Sequence, residues 1–239
     1  NHCTVSLDSS GARLHRRGYR GDTGEAPIKE TLAAGIIRLS GWKPGQVLVD
    51  PMCGSGTIII EAALMAANVA PGLLRIKRAG FAFQRWRSHR TGRFGQLVSE
   101  LRSQMTPVVG GLIYGADEDP LALEATLYNA QRAGVFEALT LNPAPVSELE
   151  RPDTEAAIWI VSNPPYGKRL GSTETLRAMY GELGKVMKNR FTNGHAALIF
   201  GEDAPFKNIG LKPDKRYELR NGPIPCKLLC YALYAGSRD

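Results

Sequence analysis

The 239-residue sequence predicts a doubly wound α/β sheet, mostly parallel and finished by an antiparallel hairpin. Three observations predict it. Short apolar runs alternate with segments of helical period, the pattern of parallel strands joined by crossover helices. The first such run ends in an acid and turns through D-P-M-C-G-S-G-T (50–57) into a helix, the kind of join at which open sheets hold ligands. After residue 215 the alternation gives way to strand, turn and strand, which reads as a hairpin.

In chain order, A-P-I-K-E-T-L-A-A-G-I-I-R-L (26–39) is a leading helix and Q-V-L-V-D (46–50) a short buried strand. T-I-I-I-E-A-A-L-M-A-A (57–67) is a helix apolar on most sides, as one packed on a sheet would be. G-L-I-Y-G-A-D (111–117) is a second strand, and Pro120 suits the first position of a helix running through Ala133. L-T-L (139–141) and A-A-I-W-I-V-S (156–162) are the next strands, residues 173–188 an amphipathic helix, and A-A-L-I-F (196–200) another buried strand. R-Y-E-L-R, N-G-P-I-P and C-K-L-L-C-Y-A-L-Y then form the hairpin. The whole of 1–239 reads as one catalytic domain. Residues 1–40 are an N-terminal segment with the leading helix, and residues 68–110 an insertion. A start at Asn1-His2-Cys3, without Met or a signal-like leader, is what a piece of a longer protein would show.

Composition narrows the partners. No apolar run approaches the length of a membrane span. Four scattered cysteines (Cys3, Cys53, Cys226, Cys230) fit a reducing cytoplasm rather than a disulfide framework. Cys226 and Cys230 share a strand face without a second ligand pair, and the four histidines fall in unrelated segments, so no metal site is expected. Net charge is +7, and no acid occurs between Glu61 and Glu100. That interval carries Arg75, Lys77, Arg78, Arg85, Arg87, Arg90 and Arg93 interleaved with Phe81, Phe83, Trp86 and Phe94. Cations for phosphates and rings for bases suit a single-stranded or looped RNA. A second cluster, Arg13, His15, Arg16, Arg17 and Arg20, points the same way. The RNA contacts expected from these runs are Arg16, Arg17, Arg20, Arg85, Trp86, Arg87 and Arg90.

The loop Asp50-Pro51-Met52-Cys53-Gly54-Ser55-Gly56-Thr57 lacks the Gly-Lys-Ser/Thr ending of a phosphate-cradling NTPase loop. A dinucleotide fingerprint would need Gly where Ile59 stands. What remains is the acid-then-glycines loop of S-adenosylmethionine enzymes, with Met52 in place of the commonest first glycine. Asp117, at the end of the second strand, is the expected partner of the ribose hydroxyls. Glu118 and Asp119 are the alternatives, Asp119 fitting better as the N-cap of the next helix.

V-S-N-P-P-Y-G (161–167) ends the fourth strand on the same sheet edge. Methyl transfer to an exocyclic amine needs a directed lone pair, which in a purine is delocalised into the ring. Two acceptors aimed at the amine's N–H groups would draw the nitrogen towards tetrahedral geometry and stabilise its growing positive charge. The Asn163 side-chain oxygen and the Pro164 carbonyl can be those acceptors. Pro164 and Pro165 have no N–H to compete and restrict the backbone in advance. Tyr166 offers a ring on which an extruded base could stack. The same corner could serve adenine-N6 or protein glutamine methylation. Pro225-Cys226 resembles a cytosine-C5 nucleophile, but the slot for that residue is taken by Asn-Pro-Pro-Tyr.

These segments, with S-L-D-S-S-G-A-R-L-H-R-R-G-Y-R (6–20), N-P-P-Y-G-K-R-L and N-G-P-I-P-C, resemble the catalytic domain of the THUMP-associated RNA guanine-N2 methyltransferases. Within that family they are most similar to the bacterial branch acting on large-subunit (23S) ribosomal RNA, with tRNA as the second candidate substrate. The resemblance covers nearly the whole chain. It implies a Rossmann-like class I fold, S-adenosyl-L-methionine as donor, N2-methylguanosine as product, and an upstream RNA-docking THUMP domain. It also implies Asn163–Tyr166 as the amine site; Lys168 and Arg169, just past that corner, are expected near the flipped base as further RNA contacts. One departure stands out. Pro145 stands where the Asp that commonly binds the adenine amino group would align, so that contact comes from the backbone, from Glu148, or is lost. A non-enzymatic RNA-binding assembly factor is the reading from another class.

Overall fold

The computed structural model describes residues 2–21, 28–107, 109–166 and 173–235. Seven strands form one sheet in the order β3-β2-β1-β4-β5-β7-β6. The strands β1 (Val47–Asp50), β2 (Ile113–Asp117), β3 (Leu139–Pro143), β4 (Ile158–Ser162) and β5 (Gly194–Gly201) are mutually parallel. β7 (Ile224–Leu233) runs antiparallel to β5, and β6 (Lys215–Asn221) antiparallel to β7. The doubly wound sheet and terminal hairpin expected from the sequence are therefore present, each strand within a few residues of its reading.

Helices α1 (Glu30–Ser40), α2 (Thr57–Ala66) and α5 (Pro120–Ala133) pack together as one layer. Ala33, Ile36 and Ile37 give α1 a buried stripe at helical spacing. Every residue of α2 from Thr57 to Leu64 is buried, because α2 is covered by α1 and α5 as well as by the sheet. Helix α6 (Thr173–Arg190) packs with short turns at 146–148 and 206–209, and right-handed crossovers put it on the opposite face. β5 is buried along almost its whole length, whereas the edge strand β6 shows Lys215, Arg216, Glu218 and Arg220 to solvent. Charged edges of this kind discourage pairing with another sheet.

The insertion is folded: α3 (Pro71–Ile76), a 3-10 turn at 82–85 and α4 (Thr91–Ser103). Among the described residues no helix is long and apolar enough to cross a membrane. The chain winds outward from β1 to β3 and returns at β4, so the crevice at the carboxyl ends of β1 and β4 lies at the switch point. Asp50, Asp117 and Ser162 are the last residues of β1, β2 and β4.

Candidate active site

A cavity of about 520 Å³ opens at that crevice. Its walls include Asp50, Met52, Cys53, Gly54, Ser55 and Thr57 from the first loop, Asp117 and Glu118 from the second, and Asn163 and Pro165 from the corner after β4. Residues expected from three separate stretches of sequence are thus brought to one place. Asp119 lines it too, but its carboxylate accepts from the Leu121 N–H at 3.0 Å as the N-cap of α5.

The loop is held from both sides. The Gly54 N–H donates to Asp117 Oδ2 at 2.8 Å, and the Cys53 N–H to the Ala116 carbonyl at 2.9 Å. Thr126 donates to the Gly54 carbonyl at 2.7 Å and Asn129 to the Ser55 carbonyl at 3.0 Å. Gly54 and Gly56 both have positive φ, 54° and 79°. A Cβ on Gly56 would fall 2.7 Å from Thr126 Cγ2, while one on Gly54 would project into open space. The first glycine therefore leaves room for a ligand and the second lets the loop close on α5.

Asp50 is buried and accepts from the Ser162 hydroxyl at 2.6 Å and the Met52 N–H at 3.2 Å. Burial pushes its carboxyl up to about 7, against those two hydrogen bonds and with a further push from the Asp117 charge. A cation in the cavity would reverse that shift. The cavity is lined by several carboxylates among apolar groups and is open beside Gly54, which suits a ligand carrying both a positive charge and ribose hydroxyls.

Asn163 supplies the most telling polar atom. Its Oδ1 is buried, lacks a hydrogen-bond partner among the described residues, and belongs to a residue of the cavity wall. A buried acceptor without a donor is costly, about 1–3 kcal/mol, and a ligand amine would satisfy it. The corner is braced from below by α6, where the Tyr180 hydroxyl donates to the Pro165 carbonyl at 2.9 Å. Pro164 is buried beside it. Tyr166 is 8% exposed. Lys168 and Arg169 lie outside the described residues.

Pro145, Val146 and Ser147, just after the end of β3, and Met179 and Glu182 of α6 also line the cavity. Glu148, the acid expected as a substitute for the absent Asp, is not among the lining residues, whereas Glu182 is. Sequence reading missed Glu182, Ser162, Thr126, Asn129 and Tyr180. Thr126 and Asn129 had a signal: two polar residues three apart on a helix, both buried. The others had none that a linear pattern could carry.

The two basic clusters divide differently from expectation. Arg17 is buried, its guanidinium in two-pronged contact with Glu61 (3.0 Å at the closest), and Tyr19 donates to the same carboxylate at 3.2 Å. Arg17 is thereby committed to the interior and corrected from an RNA contact to an ion pair, because a lone Glu61 on all-buried α2 would otherwise carry an unpaired charge. Arg20 also turns inward, donating to the Ile28 carbonyl (2.9 Å) and to Thr57 Oγ1 (2.6 Å). Arg16, Arg85, Trp86, Arg87 and Arg90 are exposed. Arg75 is buried and caps carbonyls of Ser10, Ala12, Arg13 and Gly80, pinning the N-terminal segment to α3. Phe81, Phe83 and Phe94 pack on one another at 5.3–6.4 Å, leaving Trp86 as the exposed ring of the set.

The profile of the RMKL-like methyltransferase domain matches residues 17–229. The chain is 40% identical over 238 residues to ribosomal RNA large subunit methyltransferase K/L of Shewanella oneidensis, covering 98% of this chain and 33% of that protein. It is 38% identical to slr0064 of Synechocystis sp., provisionally described as an RNA methyltransferase, over 98% of this chain and 60% of that one. The chain thus spans between a third and about three fifths of these relatives. SMU.472, a provisionally described methyltransferase solved with S-adenosylhomocysteine (SAH), superposes with a TM-score of 0.85 at 31% identity over 97% of this chain and 58% of that one.

Proposed function

The chain belongs to the RMKL-like methyltransferase domain family, and from that premise we propose that it transfers a methyl group from S-adenosylmethionine to the exocyclic N2 of a guanosine in large-subunit ribosomal RNA. The unpartnered, buried Oδ1 of Asn163 on the wall of the cofactor-sized cavity carries the reading.

The residues present fit the cofactor. Asp50 would take its positive end, Asp117 and Glu118 the ribose hydroxyls, and the Met52–Thr57 loop the backbone between them. The adenine would fall to Pro145–Ser147, and Glu182, which also lines the cavity, would be the acceptor that Pro145 cannot be. When bound, S-adenosylmethionine supplies an electrophilic methyl on a sulfonium and departs as SAH. The chain's own part is positioning. Asn163 Oδ1 and the Pro164 carbonyl accept from the two N–H groups of the target amine, directing its lone pair and stabilising the positive charge that grows on nitrogen. The methylated amine is acidic and loses its proton without a strong base. Tyr166, which follows Pro165 in the corner, is the residue on which the extruded base would stack. Arg16, Arg85, Trp86, Arg87 and Arg90 are the exposed groups for the RNA strand, and a docking domain outside this span would add to them.

Nucleoside mass spectrometry tests the reading after incubation with S-adenosylmethionine and unmodified large-subunit rRNA, with tRNA in parallel. N2-methylguanosine in the rRNA alone is expected. N6-methyladenosine, or methylation of tRNA alone, would reject the substrate assignment. Asn163→Ala should abolish transfer while calorimetry still registers SAH binding. Loss of both would make Asn163 structural.

A further inference from the structure

The N-G-P-I-P-C stretch of the hairpin has no part in the site as described so far, yet its first and last residues reach into it. Asn221 Nδ2 donates to the Tyr166 hydroxyl at 3.1 Å, across 55 residues of sequence. Cys226 Sγ lies 3.9 Å from the same oxygen. Beneath the ring is Gly201, the last residue of β5, whose register partner on β7 is Cys226. A Cβ at Gly201 would stand 2.7 Å from Tyr166 Cδ2 and 3.3 Å from Cε2 and Cγ. Its φ is not positive, so the glycine is there for space rather than for backbone conformation. Floor, side wall and clamp come from three strands, and together they account for a Tyr166 that is 8% exposed. An asparagine closing an edge strand ordinarily bonds its own turn. Here it is directed at the residue that ends the reaction corner.

We propose that Asn221 is a positioning residue for methyl transfer, acting through the Tyr166 hydroxyl that it holds over Gly201. With Tyr180 fixing the Pro165 carbonyl from the other side at 2.9 Å, the two anchors bracket Pro165–Tyr166. They fix the direction in which Asn163 and Pro164 present their acceptors to the amine. The hairpin thereby belongs to the catalytic apparatus as well as to the sheet. This rests on residues 163–166 being the amine site.

A double-mutant cycle on kcat is the test, using RNA that the wild-type protein methylates. Asn221→Ala and Tyr166→Phe each remove one end of the bond, and each should lower kcat about tenfold, the scale of one lost positioning hydrogen bond. If Asn221 acts through the hydroxyl, the double variant falls no further. SAH affinity and the thermal midpoint should stay near wild type. Near-isosteric Asn221→Leu should reproduce Asn221→Ala, which keeps the test open should the smaller residue fail to fold. Wild-type kcat in Asn221→Ala, additive losses in the double variant, or a loss of SAH affinity and stability in step with kcat would each overturn the proposal. Persistence of transfer in Asn163→Ala would instead overturn the amine-site reading beneath it.

Discussion

At the scale of single residues, Asp50 and Arg17 show how burial sets chemistry. Asp50 has its carboxyl pushed up to about 7 from an ordinary value near 4. The folded state therefore holds that proton more tightly than the unfolded chain, so Asp50 contributes stability at acid pH that is lost as pH rises from about 4 through 7. A positively charged ligand selects the ionised form, which gives the opposite slope to binding. S-adenosylmethionine affinity measured by calorimetry should rise with pH across this range, and Asp50→Asn should weaken it and flatten the profile. A pH-independent wild-type affinity would sever Asp50 from the cation. Arg17 makes a structural prediction. Arg17→Ala leaves Glu61 buried without its partner, a loss of about 3–5 kcal/mol readable as a shift in the denaturant midpoint. Pairing it with Glu61→Gln should recover part of that loss.

At the scale of elements, the site is a junction of loop, helix and strand ends. Asp50, Gly54, Asp117 and Asn163 were legible because each sits in a short linear pattern, an acid or amide closing an apolar run beside glycine or proline. Of their partners the sequence offered at most a spacing on one helix, and never the contact itself. Thr126 and Asn129 grip the first loop from more than seventy residues away, and Ser162 reaches Asp50 across 112. Such bonds depend on which strands lie side by side, and periodicity does not report that. The basic run at 13–20 was misread for the same reason. Arg16 faces solvent while Arg17 and Arg20 turn inward, and only the acid on α2 and the hydroxyl of Thr57 separate them.

At the scale of the whole molecule, the net charge of +7 is distributed so that the insertion presents cations outward while the cavity is lined with acids. Under the proposed function, the exposed cations would attract RNA and the acids the positive charge of the cofactor. Replacing Arg85, Arg87 and Arg90 together by Glu should weaken RNA binding. The slope of log K against log salt should lose about 2 in magnitude, since each neutralised single-strand phosphate contributes about 0.7. An unchanged slope would place the RNA elsewhere, and SAH affinity should not move in either case. The sequence by itself determined the α/β class, the terminal hairpin and the acids and amide at the strand ends, because these are local consequences of hydrophobic period and turn chemistry. The tertiary structure alone decided that Glu182 rather than Glu148 lines the cavity, that Arg17 is an interior ion pair, and that Asn221 reaches Tyr166. Those are contacts between residues that strand order and burial bring together.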